Sequence, residues 1–309
     1  MRSIKVLAPA SVANMVCGFD VLGMALNEPM DEMTVSISEE PGIRIRHTDE
    51  FDLPCEPEKN VAGASLLAMM QECDPDLGFD LVVHKHIKPG SGLGSSAAGS
   101  AGAVVAANRL MNNRFSNDDL VRFAMSGEKV ASGVKHADNI APVIFGGITL
   151  IRSIFPLDIV PLDSPPLYVT AVHPQIEVKT SDARQILRKE VLLKDAIRQW
   201  GNIAGLVAGL LKADYALIGR SLEDVLIEPV RSVLIPGFDQ VKSACKKAGA
   251  LGGGISGSGP SVFMLSSEEE TAHALKIIMD DVYDRLGIER FTYVTNINNE
   301  GVKTVSKNF

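Results

Sequence analysis

The expected fold is decided by one stretch of sequence, Pro89-Gly90-Ser91-Gly92-Leu93-Gly94-Ser95-Ser96-Ala97-Ala98. It follows a strand predicted over residues 80–85 and opens a helix predicted over residues 95–111. The glycines allow a tight turn and leave room for a ligand beside the backbone N–H groups. The helix N-terminus adds unpaired N–H donors and about half a positive charge. The pattern therefore favours a phosphate-binding loop over the alternative, a plain turn between a strand and a helix.

This loop differs from the Walker A loop. The Walker pattern is G-x-x-x-x-G-K-[ST], and no lysine follows the last glycine here. The charge of a bound phosphate must therefore be neutralised by Mg²⁺ and by side chains from other parts of the chain.

A second glycine-rich segment, at residues 249–260, contains a formal G-x-G-x-x-G match at Gly252, Gly254 and Gly257. A dinucleotide-binding fingerprint needs a strand before it and a helix after it. Here a predicted helix (238–248) precedes the match and a predicted strand (261–265) follows it. We therefore expect a loop that lies against the first glycine-rich segment and closes the site.

Length and composition favour two globular domains. The chain has 309 residues, 46% of them hydrophobic and 22% charged, and roughly 150 residues per domain is typical. A proline-rich stretch at 153–166 predicts a boundary between an N-terminal nucleotide-binding domain (1–155) and a C-terminal substrate or closing domain (156–309). Strands and helices are mixed without a strict βαβ rhythm, which favours the α+β class over a doubly wound parallel sheet.

Hydrophobic patterning predicts the other elements. Residues 33–38 and 43–46 alternate around Pro41-Gly42 and indicate a hairpin. Ser116 and Asp119 resemble a capping box that opens a helix. Further strands are predicted at 3–9, 143–151, 168–173 and 291–297, and further helices at 62–72, 182–188, 193–211 and 268–286.

Charge and hydropathy exclude several functional classes. The net charge is −8 and the pI about 5.3, so nucleic acid is not an expected partner, because phosphate backbones attract a basic face. The chain contains no run of 18 apolar residues, so no membrane span is expected. Residues 1–11 lack the apolar stretch of a signal peptide. The four cysteines are widely separated, which is typical of reduced thiols, and we expect a cytoplasmic protein.

Three segments together resemble the GHMP kinase superfamily. Residues 89–98 are similar to its central phosphate-binding motif, Ala8-Pro9-Ala10-Ser11 to its first motif, and 252–260 to its third. The resemblance spans the chain and implies an α+β, two-domain GHMP kinase fold. Its N-terminal domain would be like ribosomal protein S5 and its C-terminal domain ferredoxin-like.

Further motifs make the chain similar to the homoserine kinases within this superfamily. The matching segments are Pro9-Ala10-Ser11-Val12-Ala13-Asn14, Gly18-Phe19-Asp20-Val21-Leu22-Gly23, His136-Ala137-Asp138-Asn139, Thr180 with Ala183-Arg184, and Pro229 with Arg231. One departure is Met15-Val16-Cys17, which stands where the family has Leu-Gly-Pro. The shape of that turn is therefore left open.

The resemblance implies L-homoserine as a small-molecule substrate. Its carboxylate suits arginine, whose planar fork bonds both oxygens, and Arg184 and Arg231 match the family's substrate arginines. The other substrate positions implied are Asn14, Asp20, His136, Asn139 and Thr180.

The resemblance also implies ATP and Mg²⁺ as cofactors. Ser96 and Glu128 match the metal ligands of the family, and Asn60 matches a position that contacts the base. The phosphates are expected on Pro89, Gly90, Ser91, Gly92, Leu93, Gly94, Ser95, Ser96 and Ala97. The reacting groups are expected near Ser96, Glu128, Asn139 and Arg184, with no obvious catalytic base, and dimers are common in the family.

Each residue has a structural alternative. The arginines and Glu128 could be solvated surface charges, Asp20 could cap a helix starting near Val21, and His136 and Asn139 could be ordinary turn residues. Three other functions also stay open: a kinase for another small hydroxylated acid, a binding protein that has lost catalysis, and a dehydrogenase. A panel of substrates and a comparison of ATP with NAD(H) binding would separate them.

Overall fold

The computed structural model describes residues 2–178 and 180–305, without the side chains of residues 180 and 181. Its strands are β1 (Ser3–Ala13), β2 (Leu22–Ser38), β3 (Gly42–His47), β4 (Gly78–His84), β5 (Ile148–Ile154), β6 (Leu157–Leu162), β7 (Tyr168–Pro174), β8 (Gly252–Ile255), β9 (Val262–Ser266), β10 (Arg290–Asn296) and β11 (Lys303–Thr304). Its helices are α1 (Val61–Cys73), α2 (Ser95–Leu110), α3 (Asn117–Ser132), α4 (Ile140–Phe145), α5 (Thr180–Gln185), α6 (Leu193–Lys212), α7 (Tyr215–Ser221), α8 (Glu228–Arg231), α9 (Phe238–Lys247) and α10 (Glu269–Leu286).

The first sheet contains seven strands and is organised around the long strand β2. The order β11-β1-β2-β4-β3 forms its main path, and β5 also pairs with β2 and carries β6. Helices α1 to α4 pack with one another and against this sheet. The α+β class predicted from the sequence is confirmed.

Helix α2 is buried on nearly all sides, as its alanine-rich sequence predicts. The helix contacts β1, β2, α1, α3 and α4. Small side chains allow this close approach, since a Cβ atom at Gly102 would lie 3.1 Å from the Cβ atom of Ala8. The N-terminus of α2, which follows the first glycine-rich segment, is therefore held rigidly in the molecule.

The second sheet is antiparallel, in the order β10-β7-β9-β8. One of its faces, with Val172 and Val262, packs with residues of α9 and α10 in a separate apolar cluster. The other face, with Val169 and Phe263, joins the apolar core of the first sheet. Because side chains alternate across a strand, one sheet serves both cores.

The predicted hairpin between β2 and β3 is wrong. Strand β4 lies between them, antiparallel to β2 and parallel to β3. Alternation with a Pro-Gly turn identified both strands correctly, but the pairing partner comes from a distant part of the chain. Similarly, the strand predicted at 143–151 begins only at Ile148, because 140–145 forms α4.

The capping box at the start of α3 is confirmed. Ser116 accepts a hydrogen bond from the N–H of Asp119, whose carboxylate accepts one from the N–H of Ser116. The helix ends at Gly133, in the left-handed conformation that glycine favours. This capping fixes the position of Glu128 near the C-terminal end of the helix.

The chain passes from the first sheet to the second at a later residue than the boundary predicted from the sequence. The position predicted for the boundary, between residues 155 and 156, lies in the turn of the β5–β6 hairpin, and β6 still pairs within the first sheet. Strand β11 also returns to the first sheet. We propose a domain boundary within residues 163–167.

Within the described residues, none of the helices has the length and apolarity that a membrane-spanning segment needs.

Candidate active site

One cavity of about 370 Å³ collects residues from both halves of the chain. Most residues singled out in the sequence line it, namely Asn14, Asp20, Asn60, Pro89, Gly90, Gly92, Gly94, Ser95, Ser96, Glu128, His136, Asn139, Arg184 and Arg231. Ser91, Leu93 and Ala97 do not line the cavity; they are buried around the loop. The side chain of Thr180 lies outside the described residues.

The first glycine-rich segment has the backbone shape that its sequence predicts. Gly90, Gly92 and Gly94 have φ values of +77°, +83° and +70°, a region that side-chain-bearing residues rarely adopt. Gly94 caps α2 without any side-chain hydrogen bond. Because a glycine cap supplies no acceptor, the first N–H groups of α2 remain available to an anionic group.

A buried lysine supports this loop from below. The ammonium of Lys85 bonds Asp31 and lies 2.7 Å from the carbonyl oxygen of Ser95. The Ser95 hydroxyl donates to the carbonyl of Ile87 at 2.8 Å. Ser95 therefore serves the loop's own structure, and nothing in the sequence pattern singled out Lys85.

The second glycine-rich segment closes over the first. The hydroxyl of Ser256 donates to the carbonyl of Gly92 at 2.6 Å, and the hydroxyl of Ser261 donates to that of Ser91 at 2.7 Å. The segment lies between α9 and β9 and includes the short strand β8. This context agrees with the expectation that its G-x-G-x-x-G match is not a dinucleotide fingerprint.

Ser96 and Glu128 meet at the start of α2. The Ser96 hydroxyl donates to Oε2 of Glu128 at 2.8 Å, and the Glu128 side chain is largely buried at the cavity wall. Its alternative as a solvated surface charge is therefore wrong. In the part of the chain that the structure describes, no three histidine, cysteine or acidic side chains form a preassembled metal cluster.

A charged cluster occupies the other end of the cavity. Nη2 of Arg184 lies 3.0 Å from Oδ1 of Asp20 and 2.8 Å from Nδ1 of His136. Although burial opposes ionisation, the neighbouring His136 and Arg184 lower the pKa of Asp20 below its ordinary value. Asp20 is thus an anion with Arg184 beside it, and its alternative as a helix cap is wrong because β2 begins at Leu22.

Arg231 is the second cation of this cluster, and it is almost fully buried. Its Nε donates to the carbonyl of Ala183 at 2.9 Å and its Nη1 to that of Gly257 at 3.1 Å. Burial, together with the charge of Arg184, lowers the pKa of Arg231 to about 10. Arg184 is half-buried, and this cation beside the buried Arg231 favours an anionic ligand between or beside the two.

Phe19 is a member of the cluster that the sequence analysis did not assign. Its ring lies 5.0 Å from the guanidinium carbon of Arg231 and 5.7 Å from that of Arg184. An aromatic face stabilises a cation at these distances. Its position next to Asp20 was the available signal.

The turn between β1 and β2 holds Asp20 in place. Oδ1 of Asn14 accepts the N–H of Asp20 at 3.0 Å, and Nδ2 of Asn14 donates to the carbonyl of Gly257 at 2.9 Å. From α6, Gln199 donates to the carbonyl of Cys17 at 2.8 Å. Asn14 therefore links the charged cluster to the second glycine-rich segment.

Asn139 and Asp138 lie between the first glycine-rich segment and the charged cluster. Asn139 precedes α4, and its Oδ1 accepts the hydroxyl of Ser11 at 2.9 Å. Burial, with the nearby charges of Asp20 and Glu128, raises the pKa of Asp138 to about 7. The sequence motif contained Asp138, but nothing in its residue type indicated this environment.

Asn60 has mainly structural contacts. Its Oδ1 accepts the N–H groups of Ala62 and Gly63 at the start of α1, and its Nδ2 donates to the carbonyl of Pro54 at 2.7 Å. Nδ2 also lies 3.1 Å from Nε2 of His47. These bonds occupy most of the amide, so Asn60 shapes this wall of the cavity.

Comparison with known proteins agrees with this geometry. The family model of the GHMP kinase N-terminal domain matches residues 60–147, and that of the GHMP kinase C-terminal domain matches residues 206–284. The homoserine kinase of Chloroherpeton thalassium is 44% identical, over 97% of this chain and 99% of its own.

Solved structures have the same fold. The crystal structure of homoserine kinase from Cytophaga hutchinsonii has a TM-score of 0.95 and 48% identity, and covers 99% of this chain and 98% of that one. L. major mevalonate kinase, in complex with R-mevalonate, has a TM-score of 0.70 at 15% identity, covers 95% of each chain, and shows the fold alone. The chain belongs to the homoserine kinases of the GHMP kinase family.

Proposed function

We propose that this protein transfers the γ-phosphoryl group of ATP to the side-chain hydroxyl of L-homoserine, giving ADP and O-phospho-L-homoserine, a step of threonine biosynthesis. The observation that carries the proposal is the cavity, which has an anion-binding loop at one end and a compact charged cluster at the other. The names of the related proteins support the same substrate.

The charged cluster matches the groups of an amino acid. Arg231 and Arg184 would bind the carboxylate, and Asp20 would bind the ammonium. In the structure Arg184 bonds Asp20 directly, so an incoming zwitterion would exchange one internal ion pair for two with the ligand. His136 and Asn139 would lie nearer the hydroxyl, between the cluster and the phosphate loop.

Catalysis by this arrangement depends on positioning and charge stabilisation. Phosphoryl transfer has a loose transition state and asks for little covalent chemistry from the protein. The open N–H groups of the loop and of α2 would hold the phosphates, while Asn139 would orient the hydroxyl for in-line attack. The hydroxyl proton would leave late, to the phosphate or to solvent.

Ser96 and Glu128 fit a magnesium site shared with the nucleotide. Mg²⁺ takes hard oxygen ligands and is commonly bound through one or two carboxylates together with substrate phosphates. A hydroxyl and a carboxylate at 2.8 Å beside the phosphate loop provide such a pair. When bound, Mg²⁺ would neutralise the developing phosphate charge, as the lack of a Walker lysine requires.

Turnover of ATP with homoserine, serine, threonine and mevalonate, measured in parallel, tests the proposal. We expect homoserine to have the highest kcat/KM, and amino alcohols that lack the carboxylate to be poor substrates. Comparable turnover of such alcohols would contradict the homoserine assignment, and binding of NAD(H) without any binding of ATP would point to a dehydrogenase.

Arg231→Lys tests the carboxylate site. Lysine keeps the charge but loses the fork and the bonds to the carbonyls of Ala183 and Gly257. We expect the KM for homoserine to rise tenfold or more while the KM for ATP stays nearly constant, with a smaller fall in kcat. Arg285→Lys, at an exposed ion pair with Asp281 on α10, is the control.

Glu128→Gln tests the metal site separately. Turnover should fall at least tenfold, about 1.4 kcal/mol of transition-state stabilisation, and more Mg²⁺ should be needed for half-maximal rate. Glu72→Gln, an exposed partner of Arg122, should behave like the parent protein. Normal turnover of Glu128→Gln at limiting Mg²⁺ would show that Glu128 is not a ligand of the metal.

A further inference from the structure

Three polar side chains, Asp49, His47 and Asn60, are connected along the wall of the cavity that Asn60 shapes. Nδ2 of Asn60 lies 3.1 Å from Nε2 of His47, and Nδ1 of His47 lies 3.5 Å from Oδ2 of Asp49. The side chains of His47 and Asp49 are exposed by only 10% and 3%, and His47 lines the cavity. We call these three side chains the wall network.

The amide of Asn60 has only one orientation that satisfies its neighbours. Its Oδ1 accepts the N–H groups of Ala62 and Gly63 at 2.9 and 3.3 Å. Its Nδ2 donates to the carbonyl of Pro54 at 2.7 Å. A flipped amide would place its NH₂ group against two donors and its oxygen against a carbonyl. The NH₂ group of Asn60 therefore faces His47, with one hydrogen left for that contact.

This orientation decides where the proton of His47 lies. Because an amide NH₂ group can only donate, Nε2 of His47 must carry a lone pair. The ring proton is then on Nδ1, which is buried and faces Asp49. His47 is therefore neutral in this arrangement, and both of its ring nitrogens are directed to the protein and away from a ligand.

Asp49 is itself held by backbone groups. Its Oδ2 accepts the N–H of Lys85 at 2.9 Å, and its Oδ1 accepts the N–H of Phe51 at 3.0 Å. Lys85 is the buried lysine whose ammonium bonds the carbonyl of Ser95. The wall network thus connects the start of α1 with the groups that support the first glycine-rich segment.

The start of α1 packs closely against two other helices of the site. A Cβ atom at Gly99 in α2 would lie 3.0 Å from Cγ2 of Val61, and one at Gly127 in α3 would lie 2.3 Å from the carbonyl oxygen of Val61. Val61 also lines the cavity. A change in the cap that Asn60 provides would therefore alter both this wall and its contacts with α2 and α3.

We propose that His47 is a positioning residue for the nucleotide, which acts by holding the Asn60 amide in place as the cap of α1. Without the acceptor at Nε2, one hydrogen of Asn60 would be unpaired beside the cavity. The amide would then turn towards other partners, and nucleotide binding would have to order the wall again. This role rests on the proposed function, in which the base of ATP packs against the wall.

Nitrogen-15 NMR of the full chain tests the position of the proton. The chemical shifts of the two ring nitrogens distinguish a protonated nitrogen from one with a lone pair. The chain has six histidines, and the signals of His47 are those that disappear in His47→Gln. At about pH 8, where an ordinary histidine is neutral, we expect the proton on Nδ1. A proton on Nε2 would overturn the proposal.

The dissociation constant for ATP, measured by calorimetry without homoserine, tests the effect on the nucleotide. His47→Leu removes the acceptor, and we expect the dissociation constant to rise at least about threefold. His47→Gln, whose carbonyl oxygen accepts the same hydrogen, should bind ATP like the parent protein. The KM for homoserine should be unchanged in both variants. ATP binding by His47→Leu as tight as that of the parent would overturn the proposal.

A double-mutant cycle with Asn60→Ala tests whether His47 acts through Asn60. If it does, His47→Leu should cause no further loss of ATP affinity when Asn60 is already replaced, because the interaction it removes is absent. Losses that multiply in the double variant would show that His47 acts on the nucleotide by another route, and they would overturn the proposal.

Ile43→Val is the matched control. Ile43 is a buried residue of the same strand, β3, and does not line the cavity, so its shortening lowers stability without touching the wall network. Its ATP dissociation constant should equal that of the parent, and urea unfolding confirms that each variant is folded. A parent protein that binds ATP but does not phosphorylate homoserine contradicts the proposed function alone, whereas one that does not bind ATP contradicts both.

Discussion

At the scale of single residues, the most unusual positions lie in the turn between β1 and β2. Asn14, Met15, Val16 and Asp20 have φ values of +73°, +41°, +67° and +59°. Asparagine and aspartate tolerate this region, but a β-branched residue does so at a cost of roughly 1–2 kcal/mol. Val16 stands where the family has glycine, so the departure noted in the sequence retains the turn but strains it.

Replacing Val16 by glycine should therefore destabilise the protein less than the same change at other buried valines. Val16 is buried, so Val16→Gly loses apolar contacts, but it also releases the backbone strain. The comparison is Val6→Gly, at a buried valine in β1 without positive φ. Both variants should lose free energy of unfolding, and we expect the loss for Val16→Gly to be smaller by at least about 1 kcal/mol. Urea unfolding of both variants checks this, and equal losses would show that position 16 is unstrained.

Asp138 predicts a pH dependence of stability. Because its pKa is raised to about 7, the folded protein keeps a proton that the unfolded chain loses near pH 4. This group therefore lowers stability as the pH rises from about 4 to about 7. The Asp138→Asn variant has no carboxyl group at this position and therefore escapes this loss. Its free energy of unfolding relative to that of the parent protein should increase by at least about 1 kcal/mol between about pH 4 and about pH 7.

Unfolding of both proteins in urea at about pH 5 and about pH 8 measures this difference. A constant difference between parent and variant would mean that the Asp138 carboxyl titrates at its ordinary pKa.

At the scale of elements, the two glycine-rich segments form one interlocked unit. The sequence suggests that a side chain at Gly92 would fill the space for phosphate. In the structure, a Cβ atom there would lie 2.6 Å from the carbonyl oxygen of Gly259, and one at Gly94 would collide with the Ser11 hydroxyl. Gly92 is thus required first by the contact between the segments.

Alanine substitutions along the loop should reflect these contacts. A Cβ atom at Gly90 meets no neighbour, so Gly90→Ala should cost only the penalty of its positive φ, about 1 kcal/mol. Gly92→Ala and Gly94→Ala should lower the free energy of unfolding by at least about 1 kcal/mol more. Thermal or urea unfolding checks the order, and three equal losses would exclude the interlocked arrangement.

At the scale of the whole molecule, the cavity depends on contacts between distant parts of the chain. Arg231 joins α5 to the second glycine-rich segment, while Asn14 joins the first sheet to that same segment. The hydroxyls of Ser256 and Ser261 then fix this segment to the first glycine-rich segment. Movement of either glycine-rich segment would therefore change both ends of the cavity.

The double variant Ser256→Ala, Ser261→Ala tests this coupling. Each substitution removes one buried hydrogen bond, worth about 1 kcal/mol, and we expect the KM for ATP to rise because the phosphate loop loses its support. Ser266→Ala is the control, since its buried hydroxyl bonds only the nearby carbonyl of Glu268. If both proteins have the parent's KM for ATP, the segment does not support the loop.

Local features of the sequence were sufficient for much of the fold and for the family. Helix α2 follows from its small residues, and α3 from its capping box, because both depend on neighbours within one or two turns. The shape of the first glycine-rich segment follows from glycines whose positive φ values are a local property. Most candidate site residues identified from the matched motifs line one cavity, although their roles remain proposals.

The remaining features were decided by tertiary structure. The insertion of β4 between β2 and β3 depends on pairing with residues far along the chain, and β8 has no side-chain pattern because three of its four residues are glycine. Phe19 beneath two arginines, Lys85 beneath the loop and the raised pKa of Asp138 all arise from burial among distant neighbours. Residue type and spacing therefore determined the chemistry that this protein carries. Only the packing of the two sheets determined which groups are charged, strained or brought together, because burial and electrostatic interaction depend on distance in space.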